Sequence, residues 1–140
     1  MKNIQKFGIV GTLLIGLLTA CPSPAPAPSP AGTYVDNAVV VAGLCGAPAN
    51  SPNLVLTFTI AAPTAMGGVI VSSTTSGSNT VDSYQGTYSS PTVNATSTSG
   101  GSTSTLTGSI NFSTNRFAGT VTGQCATGTP ATVTFNALKQ

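Results

Sequence analysis

Three stretches of this chain alternate apolar and small polar residues with a period of two, and no other feature of the sequence constrains the fold as strongly. They run over residues 54–60, 106–112 and 117–123. Successive side chains of a β-strand point to opposite faces, so this period predicts strands with one buried and one solvated face. No stretch shows the apolar spacing of a helix, and the sequence therefore predicts an all-β domain.

Eight strands are predicted, separated by turns rich in glycine, serine, asparagine and proline. They span residues 33–42, 53–61, 68–75, 79–89, 92–98, 103–113, 116–124 and 131–138. Because the connections after residue 76 are mostly short, consecutive strands should pair as hairpins in a meander. Glycines inside strands, at Gly86, Gly108 and Gly119, indicate strong coiling of the sheet. We therefore expect a small antiparallel barrel, with a two-sheet immunoglobulin-like sandwich as the alternative.

Serine and threonine supply about a third of residues 33–140. A disordered polar tract and a strand-rich domain could both have this composition. Threonine is β-branched and suits the solvated face of a pleated sheet. Together with the period of two, the threonine content therefore indicates the outer surface of a sheet.

The N-terminal segment has the order of a secretory signal. Lys2 and Lys6 precede an apolar run over residues 7–18, which is shorter than the roughly 20 residues of a membrane-spanning helix. The next residues, Leu18-Thr19-Ala20-Cys21, resemble the lipobox of bacterial lipoproteins. The resemblance covers the first 21 residues. It implies cleavage before Cys21 and attachment of acyl chains such as palmitate, with Cys21 as the membrane anchor.

Residues 22–32 are rich in alternating proline, which predicts an extended linker of about 3.1 Å per residue, or roughly 30 Å. A ligand for an aromatic-grooved partner is the alternative use of such a segment. The chain thus divides into a signal peptide (1–20), a lipidated cysteine with its linker (21–32) and a β-domain (33–140). Lipoproteins retained in the inner membrane carry Asp after the cysteine, so Pro22 implies, by the same resemblance, the outer membrane of the cell envelope.

The two remaining cysteines, Cys45 and Cys125, lie in turn-rich segments of the β-domain. Exported proteins form disulfides, and we therefore predict a bond between these two residues. A reactive or metal-binding thiol pair is the alternative. The chain has no histidine and two carboxylates, so a metal site would lack its usual ligands, and we expect none.

Charge excludes several functions. The net charge of +2 comes from Lys2 and Lys6, and without the signal segment Asp36, Asp82, Arg116 and Lys139 sum to zero. Two cations cannot neutralise the several phosphates on which nucleic-acid binding depends, so we expect no nucleic-acid partner. Without histidine there is no serine triad and no common general base, and we predict neither enzymatic activity nor a cofactor.

Tyr84 and Tyr88 share a face of one predicted strand, with Gly86 between them, and are the side chains that we single out as a possible ligand site. The expected function is that of a membrane-anchored, non-enzymatic envelope lipoprotein whose β-domain makes structural or protein-protein contacts. The alternative is a binding module for a small apolar or carbohydrate ligand inside the barrel. A cavity of a few hundred Å³ in the barrel would favour the alternative.

Overall fold

The structure, a computed structural model, describes residues 25–78 and 80–140, so Cys21 and the signal segment lie outside the described residues. All eight predicted strands form, and each begins and ends within three residues of its predicted position. They are β1 (Gly32–Val39), β2 (Leu54–Ile60), β3 (Gly68–Thr75), β4 (Val81–Ser89), β5 (Thr92–Ser99), β6 (Ser102–Asn111), β7 (Arg116–Gln124) and β8 (Pro130–Lys139).

The strands form a closed antiparallel barrel in the order β1 to β8, which confirms the predicted meander. Each strand pairs with the next in sequence, and β8 pairs with β1 to close the barrel. A single 3-10 turn, Leu44–Gly46, lies in the connection between β1 and β2. Across the described part of the chain, no helix has the length and apolar character needed to cross a membrane.

The two ends of the barrel differ, and we name them by their connections. The linker end contains the start of β1 and the β2–β3, β4–β5 and β6–β7 connections. The mouth contains the β1–β2, β3–β4, β5–β6 and β7–β8 connections. Residues 25–29 of the linker are exposed, whereas Pro30 is buried and its carbonyl accepts a hydrogen bond of 2.8 Å from the Tyr34 hydroxyl.

Four aromatic rings fill the middle of the barrel and form its core. Tyr34, Phe58, Phe117 and Phe135 are each at most 2 % exposed, and their ring centroids lie 4.4–5.7 Å apart, within the usual range for favourable aromatic pairs. The ring of Phe117 packs over Gly108, where a Cβ atom would collide with it. The strand glycine therefore provides the space that a large ring needs in so narrow a barrel.

Threonine lies mainly on the outer surface, as the alternation predicts. Thr105 of β6, Thr122 of β7 and Thr132 of β8 are neighbours in the sheet. The hydroxyl oxygens of Thr122 and Thr132 lie 3.3 Å apart, and those of Thr98 and Thr103 are equally close. Such pairs contribute about 0.2–1 kcal/mol each, so the polar surface also stabilises the sheet.

The seam between β1 and β8 is the shortest pairing in the barrel, with two residue pairs near the linker end. A bulge between Asp36 and Val39 carries β1 away from β8. Here the Asp36 carboxylate accepts hydrogen bonds from the backbone N–H of Asn136 at 2.6 Å and of Ala38 at 3.0 Å. The carboxylate thus replaces the missing backbone acceptor. Beyond the bulge, Val39 pairs with Leu54, the first residue of β2, and β1 ends there rather than at the predicted residue 42.

The disulfide predicted between Cys45 and Cys125 is present, with the two Cα atoms 5.4 Å apart. Cys45 belongs to the 3-10 turn after β1, and Cys125 follows β7. The bond therefore joins the first connection to the last at the mouth, where β1 and β8 no longer pair. Three interactions therefore hold the β1–β8 seam together. They are a two-residue backbone ladder at the linker end, the hydrogen bond of the Asp36 carboxylate in the middle, and the disulfide at the mouth.

Candidate functional site

A cavity of about 150 Å³ lies inside the barrel at the mouth, above the aromatic core. The four core rings occupy the middle of the barrel next to it. The volume of the cavity is smaller than the few hundred Å³ that a drug-sized ligand occupies. Six strands contribute to its walls. The lining residues are Val39, Leu54, Leu56, Phe58, Ser73, Thr75, Asp82, Tyr84, Val121 and Val133.

The lining divides into an apolar wall and a polar wall. The apolar wall comes from β1, β2, β7 and β8 and consists of Val39, Leu54, Leu56, Phe58, Val121 and Val133. The polar wall comes from β3 and β4 and consists of Ser73, Thr75, Asp82 and Tyr84. The inward positions of β3 change from Val69 and Val71 near the linker end to Ser73 and Thr75 near the mouth. One strand thus contributes both to the dry core and to the polar wall.

Tyr84 is the most deeply buried member of the polar wall, at 3 % exposure. Burial raises the pKa of its phenol above the ordinary value, and the nearby Asp82 carboxylate raises it further. The neighbouring Ser73 hydroxyl acts on the pKa in the opposite direction. The phenol therefore remains neutral at physiological pH.

Tyr84 and Tyr88 both point into the barrel but lie at different levels. Tyr84 lines the cavity, whereas Tyr88 lies toward the linker end and is not among the lining residues. The Tyr88 hydroxyl is buried, with no hydrogen-bond partner among the described residues. Tyr84 is too deeply buried to offer an exposed ring face for stacking on a sugar. The two rings therefore do not form one platform, and Tyr84 alone belongs to the cavity.

The two carboxylates lie on different strands, Asp36 on β1 and Asp82 on β4. Three strand spacings separate these strands, which corresponds to about 14 Å around the sheet. Asp36 is already bonded to two backbone N–H groups. Within residues 25–78 and 80–140, no three side chains of the kinds that ligate metals form a group.

Charge is distributed unevenly along the barrel axis. Arg116 begins β7 and Lys139 ends β8, which places both cations at the linker end. The Lys139 ammonium lies 5.6 Å from the centre of the Tyr34 ring, and Arg116 donates a hydrogen bond to the Asn136 carbonyl. Asp82 is exposed and lines the cavity, so its carboxylate lies at the rim. The mouth is therefore the negative end of the barrel.

Most of the cavity was not predicted from the sequence. The signal for its polar wall was present, because Asp82 shares the inward face of β4 with Tyr84, and Ser73 and Thr75 continue the inward face of β3. The apolar wall carries no comparable signal. Val121 and Val133 are cross-strand partners in the β7–β8 hairpin, but Val39 of β1 joins them only when the barrel closes.

Comparison with protein-family models, with curated proteins and with solved structures finds no match to this chain.

Proposed function

We propose that this chain is an exported, lipid-anchored and non-enzymatic protein of the cell envelope, whose barrel makes structural or protein-protein contacts. The observation that carries the proposal is the disulfide between Cys45 and Cys125. Structural disulfides form and persist in oxidising compartments and are rare in the reducing cytosol. The bond thus supports export, for which the lysine-flanked apolar run before Cys21 would be the signal.

In this proposal the lipid is attached to Cys21, and the outer membrane is its location. Two or more acyl chains give stable membrane binding, whereas one chain gives only marginal binding. The proline-rich linker then serves as a spacer. Its buried end at Pro30, bonded to Tyr34, supports this role, because the spacer would join the barrel at a defined point of the linker end.

Several features support a non-enzymatic role. Asp36 uses its carboxylate to hold the β1–β8 seam, and Asp82 lies three strands away at the mouth. A pair of carboxylates that performs acid-base chemistry must meet in one pocket. Without the signal segment the chain has zero net charge, which also supports the proposal that no nucleic acid is bound.

A second candidate function rests on the cavity at the mouth, whose volume of about 150 Å³ is below that needed by a drug-sized ligand but sufficient for a single ring. We propose that the barrel is also a binding module for a small apolar ligand. Six of the ten lining residues are apolar, and a carbohydrate would need more hydrogen-bond partners than such walls offer. The cavity therefore supports an apolar ligand over a carbohydrate.

The anchor is tested by substituting Cys21→Ser in the full chain and comparing it with Ser23→Ala, which changes a neighbouring hydroxyl and leaves the thiol. The Cys21 variant should lose the acyl mass by mass spectrometry and leave the membrane fraction, while the control keeps both. Recovery of the Cys21 variant in membranes with the wild-type lipid mass would refute the anchor.

A further inference from the structure

We propose that the cavity at the mouth binds a small arylalkylamine, a single six-membered ring that carries an ammonium group on a short chain. The inference rests on the binding-module candidate and adds the chemistry of the ligand. Its basis is the volume of the cavity, the division of its lining into two walls, and the position of the Asp82 carboxylate.

The volume limits the ligand to about one ring. A cavity of roughly 150 Å³ lined by apolar side chains can hold benzene, whereas drug-sized ligands need about 300 Å³ or more. The floor is formed by Phe58, which is fully buried and packs against the other core rings. An incoming ring would therefore stop at Phe58, and any substituent would have to point toward the mouth.

The two walls favour a ligand with one polar edge. A ring that packs against Leu54, Leu56 and the valines of the apolar wall leaves its other edge facing Ser73 and Tyr84. Those two hydroxyls are close neighbours on adjacent strands, so each is within reach of the other as a polar partner. The exposed acceptor of the lining is the Asp82 carboxylate at the rim, and a substituent that donates hydrogen bonds at that level would meet it.

Charge selects an ammonium group over other donors. Asp82 is the only charged residue of the lining, and the cations Arg116 and Lys139 lie at the opposite end of the barrel. An exposed ion pair contributes up to about 1 kcal/mol, which corresponds to a preference of about fivefold over a neutral ligand. A carboxylate on the same ring would be repelled by Asp82.

The three tyrosines of the chain provide a direct measurement. The full chain, labelled with 3-fluorotyrosine and reconstituted in lipid nanodiscs, should give one fluorine resonance each for Tyr34, Tyr84 and Tyr88, assigned by Tyr→Phe substitution. We expect benzylamine to shift the Tyr84 resonance and to leave those of Tyr34 and Tyr88 in place. Its affinity should exceed that of benzyl alcohol by about threefold to fivefold, and benzoate should bind more weakly than either.

Variants separate the ring site from the charge. Val133→Phe fills the cavity and should abolish the shift, whereas Val81→Phe adds the same ring at an exposed position of β4 and should leave binding intact. Asp82→Asn removes the charge but keeps an acceptor oxygen, and it should therefore remove the preference for benzylamine over benzyl alcohol. Should Val133→Phe fail to fold by circular dichroism, Leu54→Phe fills the same cavity from β2.

The outcomes distinguish the two levels of the proposal. Equal binding of benzoate and benzylamine, or an amine preference that survives in Asp82→Asn, would overturn the amine assignment while leaving a module for apolar rings. If no probe shifts the Tyr84 resonance, or if the shift persists in Val133→Phe and Leu54→Phe, the proposal of a binding module is refuted as well. The lipid anchor is tested independently, by the acyl mass and the membrane association of the Cys21→Ser variant.

Discussion

Reduction of the Cys45–Cys125 disulfide should destabilise the barrel strongly and first at the β1–β8 seam. The bond joins residues separated by 80 positions. For a loop of this length the chain-entropy estimate is about 4 kcal/mol, and measured values of about 2–4 kcal/mol are typical. In a domain of this size, each kcal/mol corresponds to about 4 °C of melting temperature. We therefore expect reduction to lower the melting midpoint by about 8–16 °C.

The structure also predicts where the reduced protein opens. Without the disulfide, the seam retains two of its three links, the Asp36 carboxylate and the two-residue ladder at the linker end. Its mouth end is then no longer held. Amide hydrogen exchange should therefore accelerate at Asn136 and at Cys125, whose N–H bonds the Thr129 carbonyl at the mouth. The Leu106 amide, in the long β5–β6–β7 ladders, should stay protected.

The measurement is thermal unfolding by circular dichroism, with hydrogen exchange followed by mass spectrometry, on the full chain with and without a phosphine reductant. The double variant Cys45→Ser/Cys125→Ser is the matched control, because it should melt at the midpoint of the reduced protein whether or not the reductant is present. An unchanged midpoint on reduction would refute the stabilising role of the bond. Uniform acceleration across all strands would refute the seam as the first region to open.

Two further predictions concern single side chains. Asp36→Ala leaves the Asn136 N–H without its acceptor and should lower the free energy of unfolding, measured with denaturant, by about 1–2 kcal/mol. Asp36→Asn keeps an acceptor oxygen and should be less damaging. If alanine lowers the free energy of unfolding no more than asparagine does, the proposed role of the carboxylate is wrong. Burial raises the pKa of Tyr34 and Tyr84 above 10.0, so these two phenols should make stability fall as the pH rises above about 10, where the unfolded chain ionises first. Tyr84→Phe should flatten the alkaline decline, and an unchanged slope would argue against the raised pKa.

Local sequence patterns were sufficient to predict the strands. Phe58 and Leu106 lie on inward faces because each belongs to a run with a period of two, and this period is a property of neighbouring residues. The disulfide was predicted from the number of cysteines and from the predicted export, since one pairing is possible if Cys21 carries the anchor. Each of these inferences needed information from one segment or from composition alone.

The choice between barrel and sandwich could not be made in this way. Closure depends on the β1–β8 seam, where Asp36 contacts Asn136 across 100 positions of the chain. Nothing in the sequence around Asp36 distinguishes this role from that of a solvated carboxylate. The cavity presents the same difficulty, because the space left at the mouth depends on the summed volumes of side chains from six strands. Its existence is a property of the closed barrel.

The linker joins the barrel beside Tyr34, at the end opposite the cavity. With an anchor at Cys21, the extended linker would span roughly 30 Å, and the tilted strands would add about 20 Å, so that the mouth would open roughly 50 Å from the lipid. A molecule dissolved in the bilayer would have to leave it and cross this distance through water. Occupancy of the cavity would therefore follow the aqueous concentration of the ligand, and lipid that absorbs an amphipathic amine would compete with the barrel instead of delivering the amine to it.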